Sequence, residues 1–408
     1  EVEAEAARKA ILSGWVTQGP AVASFESAFA ARLGAPHACA VSNCTTALHL
    51  ALKVVGTAAG DVVLTVSHSF IATANAVRYC NADPVFVDID PQTLNLDPEA
   101  LERSLTDDFV ERDGGLWYRH TTRLALSQES PLRLFDLAKC GRLAAILVVH
   151  QVGMPADLAR IAAIAHRHGV PLVEDAACAA GSTVSLDGGI KWRALGNPVG
   201  AVSCFSFHPR KIITTGEGGM LVCADPEMDQ AFRLWRQHGM SVSDSARHAA
   251  TDVVFEDYVT VGYNYRMSDI QAAVGLAQLG RLDGIVAQRR SIAATYGERL
   301  TEAKGIRPPT EPAYARSNWQ SYVAMLDDPV LQRPVIRGLM NAGISARRGI
   351  MCAHLESPYA AAWPRGVLPF SERARDCGLI LPLHHEITED IAATTADILI
   401  DIVRRERG

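Results

Sequence analysis

The sequence has no Cys-x-x-Cys pair, no long run of like charge, and no apolar stretch of the ~18 residues that a membrane span needs. Its nine cysteines, at positions 39, 44, 80, 140, 178, 204, 223, 352 and 377, are scattered and odd in number. That excludes a disulfide framework and fits a reducing cytoplasm. The opening residues, Glu1-Val2-Glu3-Ala4-Glu5, are acidic where a secretory leader would be basic, so a cytoplasmic protein is expected. Charge is close to balanced: 39 Lys plus Arg against 45 Asp plus Glu leaves −6, which argues against a nucleic-acid partner. Aromatic residues are sparse at 6%, yet apolar residues reach 48% and charged residues only 21%, so the chain can bury a large core and is not disordered. A length of 408 residues points to two or three domains.

What is present is an alternation. Short β-branched runs at 37–42, 62–66, 85–88, 144–150, 170–175, 201–207 and 219–224 are separated by Ala-rich helical patterns at 45–55, 72–80 and 158–168. Strands of this length spaced by helices predict right-handed crossovers and a largely parallel sheet, hence an α/β core. Residues 268–303 keep a helical apolar period over more than thirty positions and read as one long connector out of the large domain. After Pro308-Pro309 a second pattern follows, with a strand at 322–326 and helices near 330–342 and 388–403. The expected division is a large α/β domain over 1–304 and a smaller α+β domain over 305–408. Between about 105 and 142 the rhythm fails, which marks an insertion. Its Trp117-Tyr118 reads as a hairpin core, as a cover for a dimer interface, or as a wall of a substrate pocket.

Three segments carry chemistry. In Cys204-Phe-Ser-Phe-His-Pro-Arg-Lys211-Ile-Ile-Thr-Thr-Gly-Glu-Gly-Gly219, a strand is stopped by Pro209 and a lysine sits in the tight loop that follows. A lysine held at a strand end can lose its proton and act as a Schiff-base nucleophile. In Val170-Pro-Leu-Val-Glu-Asp175, two carboxylates end an apolar strand, where open α/β sheets bind ligands. A carboxylate there can keep a pyridinium nitrogen protonated, although Glu-Asp after a strand also serves as a plain helix cap. In Ser42-Asn43-Cys44-Thr45-Thr46, a strand turns directly into a helix, whose free N–H groups and dipole suit an anion.

Lysine, carboxylate and anion cradle together form a pyridoxal phosphate constellation. With Gly14-Trp-Val-Thr-Gln-Gly-Pro20, Ser67-His-Ser-Phe-Ile-Ala-Thr73-Ala-Asn75, Pro84-Val-Phe-Val-Asp-Ile-Asp90 and Gly262-Tyr-Asn-Tyr-Arg-Met-Ser268, the chain resembles the DegT/DnrJ/EryC1/StrS sugar aminotransferases through nearly its whole length. The resemblance implies an aspartate-aminotransferase-like fold type I and a homodimer with shared active sites. It also implies Lys211 as the Schiff-base lysine and Asp175 as the partner of the pyridine nitrogen. Ser206, with the backbone of Cys44 and Thr45, would hold the phosphate. Phe70 would stack on the ring, with His68 as its competitor, and Asn264 would reach the phosphate of the neighbouring subunit. Cys178 stands where many relatives carry a glutamine that meets the ring hydroxyl, and Gln151-Val-Gly-Met154-Pro155 departs from a Leu-Tyr-Gly-Gln-Pro pattern. A metal is not part of this reading.

The implied activity is transfer of an amino group from glutamate or glutamine to a nucleotide-linked keto sugar. A keto-cyclitol or other keto acceptor stays open. So, further off, do a sugar dehydratase, in which a histidine replaces the lysine, and a regulator that keeps the fold. His208, His354 and the pair Arg347-Arg348 are further substrate contacts or plain structural and surface residues.

Overall fold

The computed structural model describes residues 1–242, 253 and 255–407. All seven expected strands form, and they join into one sheet. Its spatial order is His37–Val41, Gly219–Cys223, Val202–Ser206, Leu172–Asp175, Leu143–Val149, Val62–Val66 and Asp83–Val87. Six run in one direction, and Gly219–Cys223 runs against both its neighbours. Every residue of Val62–Val66, Leu143–Val149 and Val202–Ser206 is buried, because helices cover both faces of the sheet. Side chains alternate between faces. Leu64, Val66, Ile146, Val148 and Phe205 meet Phe25, Phe29, Ile161 and Ile164 on one side. Val63, Ala145, Leu147, Val173 and Cys204 meet Leu48, Leu52, Ala76 and Val77 on the other.

The single connector expected over 268–303 is two helices, Asp269–Leu279 and Leu282–Leu300. Gly280 closes the first, and a glycine weakens continuation of a helix. The break also serves packing. Gly275 lies so close under Phe25 that a Cβ there would stand 2.8 Å from the ring, which ties the first helix to Pro20–Leu33. In the second helix, Ile292, Tyr296 and Leu300 turn instead to a separate core with Tyr322, Leu339, Leu379 and Leu399. An apolar period continuous in sequence thus addresses two partners.

That second core covers an antiparallel sheet ordered Ile306–Arg307, Tyr322–Leu326, Gly378–Leu381, Arg347–Arg348. The C-terminal residues do not all stay with it. Ala315–Arg316 pairs with Thr183–Val184, and Ala353, Tyr359, Trp363 and Leu368 join the core of the large sheet.

The stretch expected as an insertion contains a hairpin of Phe109–Arg112 and Gly115–Tyr118. Tyr118 is buried against Phe109, while the Arg112 guanidinium lies 3.6 Å from the centre of the Trp117 ring. The stretch is fastened by Gly141 N to Gly60 O (2.7 Å), Val62 N to Arg142 O (2.8 Å), Arg142 to Asp61, and Ser130 to Asp83. These partners precede or begin strands. The excursion therefore sits at the amino edge of the sheet, opposite the edge where the strands end.

Candidate active site

The strand ends converge by register. Asp175 pairs with Cys204 across parallel strands, and Gly219 lies between Ser206 on one side and Val41 on the other. Asp175, Ser206 and the turn after Val41 thus share one edge.

That turn starts the helix Cys44–Val54. Asn43 caps it through a reciprocal pair: its side chain accepts from Thr46 N at 2.9 Å, and Thr46 Oγ1 accepts from Asn43 N at 3.4 Å. The N–H groups of Cys44 and Thr45, in the first turn, have no intrahelical acceptor. Gly219 makes the turn possible, since a Cβ there would overlap the Asn43 carbonyl and come within 2.8 Å of Cys44 N. With the Ser206 hydroxyl two strands away, the result is a cradle for an anion, and its donor set fits a phosphate.

Glu174 and Asp175 point to opposite faces. Glu174 is structural: it accepts from Val199 N and Gly200 N, each at 3.0 Å, and from His150 Nε2 at 3.2 Å. Burial works against its charge, but the His150 contact and the two N–H groups hold its pKa below the ordinary value. Asp175 faces the site. Its Oδ2 accepts from Thr73 Oγ1 at 2.8 Å and its Oδ1 from Ala177 N at 3.1 Å. Thr73 Oγ1 in turn lies 2.8 Å from Ser69 Oγ. Because an ionised carboxylate only accepts, Thr73 donates to Asp175 and Ser69 donates to Thr73. Burial raises the Asp175 pKa above the usual 3.8, against the pull of Thr73, Ala177 N, Lys211 and His150.

Lys211 follows the loop at Pro209, with its N–H on His208 O at 2.8 Å. Its Nζ donates to Cys178 Sγ at 3.1 Å. Burial alone would depress its pKa, but Cys178, Cys44 and Asp175 outweigh that and raise it. Lysine, thiol, carboxylate and cradle therefore form one electrostatic cluster.

Phe70 is 68% exposed and free to form a wall over this edge, whereas His68 is 1% exposed. His68 is committed elsewhere, with its carbonyl bound by Gln151 Nε2 and its backbone bridged to Cys352. Asn264 is exposed near the cradle: Tyr265 O accepts from Ser42 N at 2.8 Å, and Arg266 bridges to Val41. His354 is fully buried between Ser67 Oγ (2.6 Å) and Glu372 Oε1 (3.2 Å), so it ties the Ser67–Phe70 segment to the C-terminal part. His208 turns back on its own loop, where its Nδ1 accepts from Arg210 N at 3.2 Å, and Arg347-Arg348 lie exposed on a strand of the smaller sheet. Thr73 lies within the Ser67-to-Asn75 motif, and only the fold brings it onto Asp175. The signal was there in the four-residue spacing of Ser69 and Thr73 at a helix start.

Comparison with known proteins agrees with this geometry. The sequence model of the DegT/DnrJ/EryC1/StrS aminotransferase family matches residues 1–399. The spore coat polysaccharide biosynthesis protein SpsC of Bacillus subtilis (strain 168) is 33% identical over 400 residues, covering 96% of this chain and 92% of that protein. Among solved structures, the aminotransferase TlmJ from Streptoalloteichus hindustanus is 32% identical with a TM-score of 0.81, covering 100% of this chain and 97% of that one. The structure of DesI in the presence of its TDP-sugar product is 27% identical with a TM-score of 0.78, covering 100% and 92%.

Proposed function

The chain belongs to the DegT/DnrJ/EryC1/StrS aminotransferase family, and from that premise we propose that it moves an amino group from glutamate or glutamine to a nucleotide-linked keto sugar. The enzyme is an aminotransferase that works with pyridoxal 5'-phosphate. The sugar acceptor is supported by relatives, one named for polysaccharide biosynthesis and one solved with its TDP-sugar product. The observation that carries the reading is the convergence of Lys211, Asp175 and the Gly219-dependent cradle on one sheet edge.

When bound, the cofactor supplies an electron sink for the carbon that gains or loses the amine. The protein's share is position and charge. Cys44 N, Thr45 N and Ser206 would hold the phosphate, and Asp175, whose charged form the Thr73 hydroxyl favours, would face the ring nitrogen and keep a positive charge on it. Phe70 would cover the ring face. Lys211 would hold the cofactor, and its Nζ, at the centre of the cluster, would serve as the general base and acid that moves a proton between carbons. The presence of Lys211 argues against the dehydratase alternative, in which a histidine stands there. Asn264, exposed beside the cradle, is assigned to the phosphate of a second subunit, so the working unit is a homodimer.

Borohydride reduction of the cofactor-loaded protein, followed by peptide mass analysis, should place the cofactor on Lys211. Label on another lysine would sink the site assignment. Glutamate or glutamine should convert the loaded protein to its aminated form, seen as loss of the visible absorption band, and a nucleotide-linked keto sugar should restore it. Restoration only by keto-cyclitols would overturn the acceptor class. Mixing Lys211→Ala with Asn264→Ala subunits should recover activity if sites are shared, and no recovery after verified exchange means that each subunit is self-contained.

A further inference from the structure

Cys178 differs from the other eight cysteines. They are buried, and it alone is partly open. Burial pushes the Cys39, Cys80, Cys223 and Cys352 thiols up to about 12, and Cys44 and Cys204 well above the usual value, so all six are held as inert neutral thiols. Cys178 instead has a lysine amine 3.1 Å from its sulfur. Sulfur and nitrogen are thus within reach of each other at a partly open position, and the thiolate is the form of a cysteine that reacts with oxidants.

The contact is built from both sides by one segment. Asn318, fully buried, donates through Nδ2 to Cys178 O and Ala180 O, each at 2.8 Å. Two residues on, Gln320 Nε2 donates to Arg210 O at 2.5 Å, next to Lys211, and Gln320 N returns to Asn318 Oδ1 at 2.9 Å. The backbones carrying sulfur and nitrogen are therefore clamped to one short stretch of chain, so neither can drift away from the other.

We propose that Cys178 and Lys211 form a modification site at which a peroxide-class oxidant creates a covalent sulfur–nitrogen link. The Cys178 thiolate attacks a peroxide oxygen, the O–O bond breaks, and sulfur becomes a sulfenic acid as hydroxide departs. The departing hydroxide takes a proton from the Lys211 ammonium and leaves as water, and the lone pair of the now neutral Nζ attacks sulfur. The S–N bond forms, the S–O bond breaks, the amine gives up one proton, and water leaves. Thiol and amine together lose two hydrogens and two electrons, which the peroxide accepts. Two equivalents of a small thiol reverse the link, becoming a disulfide. Resting on the assignment of Lys211 to the cofactor, the inference makes link and cofactor compete for one nitrogen, so oxidation would block loading reversibly.

The test treats two samples with hydrogen peroxide: the loaded protein, and the same full chain freed of cofactor with an amino donor and dialysis. In the cofactor-free sample a peptide joining Cys178 to Lys211 should appear, two hydrogens lighter than the sum of its parts, with cleavage by trypsin at Lys211 lost. Dithiothreitol should return both free peptides, and Cys178→Ser should give no such species. The loaded sample should show little of it. Oxidation of Cys178 to sulfinic acid with Lys211 still cleavable would overturn the link, and equal yield in both samples would overturn the competition. Borohydride labelling of untreated loaded protein, including Cys178→Ser, reports separately whether Lys211 holds the cofactor and whether the variant is folded.

Discussion

Burial works against a charge on Asp175, and a hydroxyl of the same core turned onto it works in favour of one. Thr73 is 2% exposed; its hydroxyl donates to Asp175 and has Ser69 Oγ 2.8 Å behind it. A hydrogen bond to a charged group contributes about 1.5–3 kcal/mol, which corresponds to about one to two pH units. Thr73→Val removes an effect that lowers the Asp175 pKa, so that pKa, already raised by burial, should rise further. The ionised carboxylate is then lost at higher pH, and the acid limb of activity should move upward by about one to two units. The absorbance of the bound cofactor, titrated against pH, should move with it. Thr73→Ser keeps the hydroxyl and should restore the original profile. An unshifted profile in the valine variant would mean that Asp175 is set by Ala177 N and Lys211 alone.

At the level of elements, the cradle depends on how closely the Gly219–Cys223 strand approaches the start of the Cys44–Val54 helix. Gly219→Ala puts a methyl into the Asn43 carbonyl. Overpacking of this kind costs about 1–3 kcal/mol, here at the helix turn that binds the anion. The variant should stay folded but bind pyridoxal phosphate about tenfold or more weakly in a fluorescence titration, since about 1.4 kcal/mol is a factor of ten. A second joint, far from the chemistry, holds the helix Pro20–Leu33 to the sheet. Glu26, 5% exposed, accepts from Ala40 N (2.8 Å), Arg236 Nη1 (2.5 Å) and Arg233 Nη1 (2.8 Å). Burial would raise its pKa, but the two guanidinium groups outweigh that and lower it. Breaking such a buried ion pair from one side costs about 3–5 kcal/mol. Glu26→Gln should therefore lose about that much in urea unfolding, while the cofactor titration of the folded fraction stays unchanged.

For the whole molecule, acid is the natural stress. Burial depresses His68 from 6.5 to about 4. A histidine neutral in the fold but charged in the unfolded chain contributes stability that is complete above pH 6.5 and is lost as pH falls through about 4. The difference corresponds to roughly 3 kcal/mol. Stability from urea unfolding should fall across that window, and His68→Asn should flatten part of the slope. A slope equal in both proteins would place the acid sensitivity on other groups. His49, likewise depressed to about 4 by burial among Tyr79, Tyr263 and Tyr265, adds to the same window.

Much of the fold was legible because its signals are local. Continuous apolar runs specify strands buried on both faces, Pro209 and the Thr214-to-Gly219 turn end a strand beside Lys211, and Asn43 with Thr46 marks a helix start. The same local signals misread residues 268–303 as one helix, since periodicity reports which face is apolar and not what it packs against. Gly280 ended the first helix, and the change of partner comes within the second: Leu282 and Val286 stay with the large core, while Ile292, Tyr296 and Leu300 meet the smaller one. Tertiary structure alone decided the long-range contacts: Thr73 on Asp175 across 102 residues, Asn318 on Cys178 across 140, and Gln320 on Arg210 across 110. It also decided that residues 353–368 join the large core and that the 105–142 excursion lies at the edge opposite the site. The sequence determined which groups could do chemistry, because residue type and strand position are written locally. The structure decided which of them meet, because burial rewards any complementary surface and only the assembled sheet brings these particular ones together.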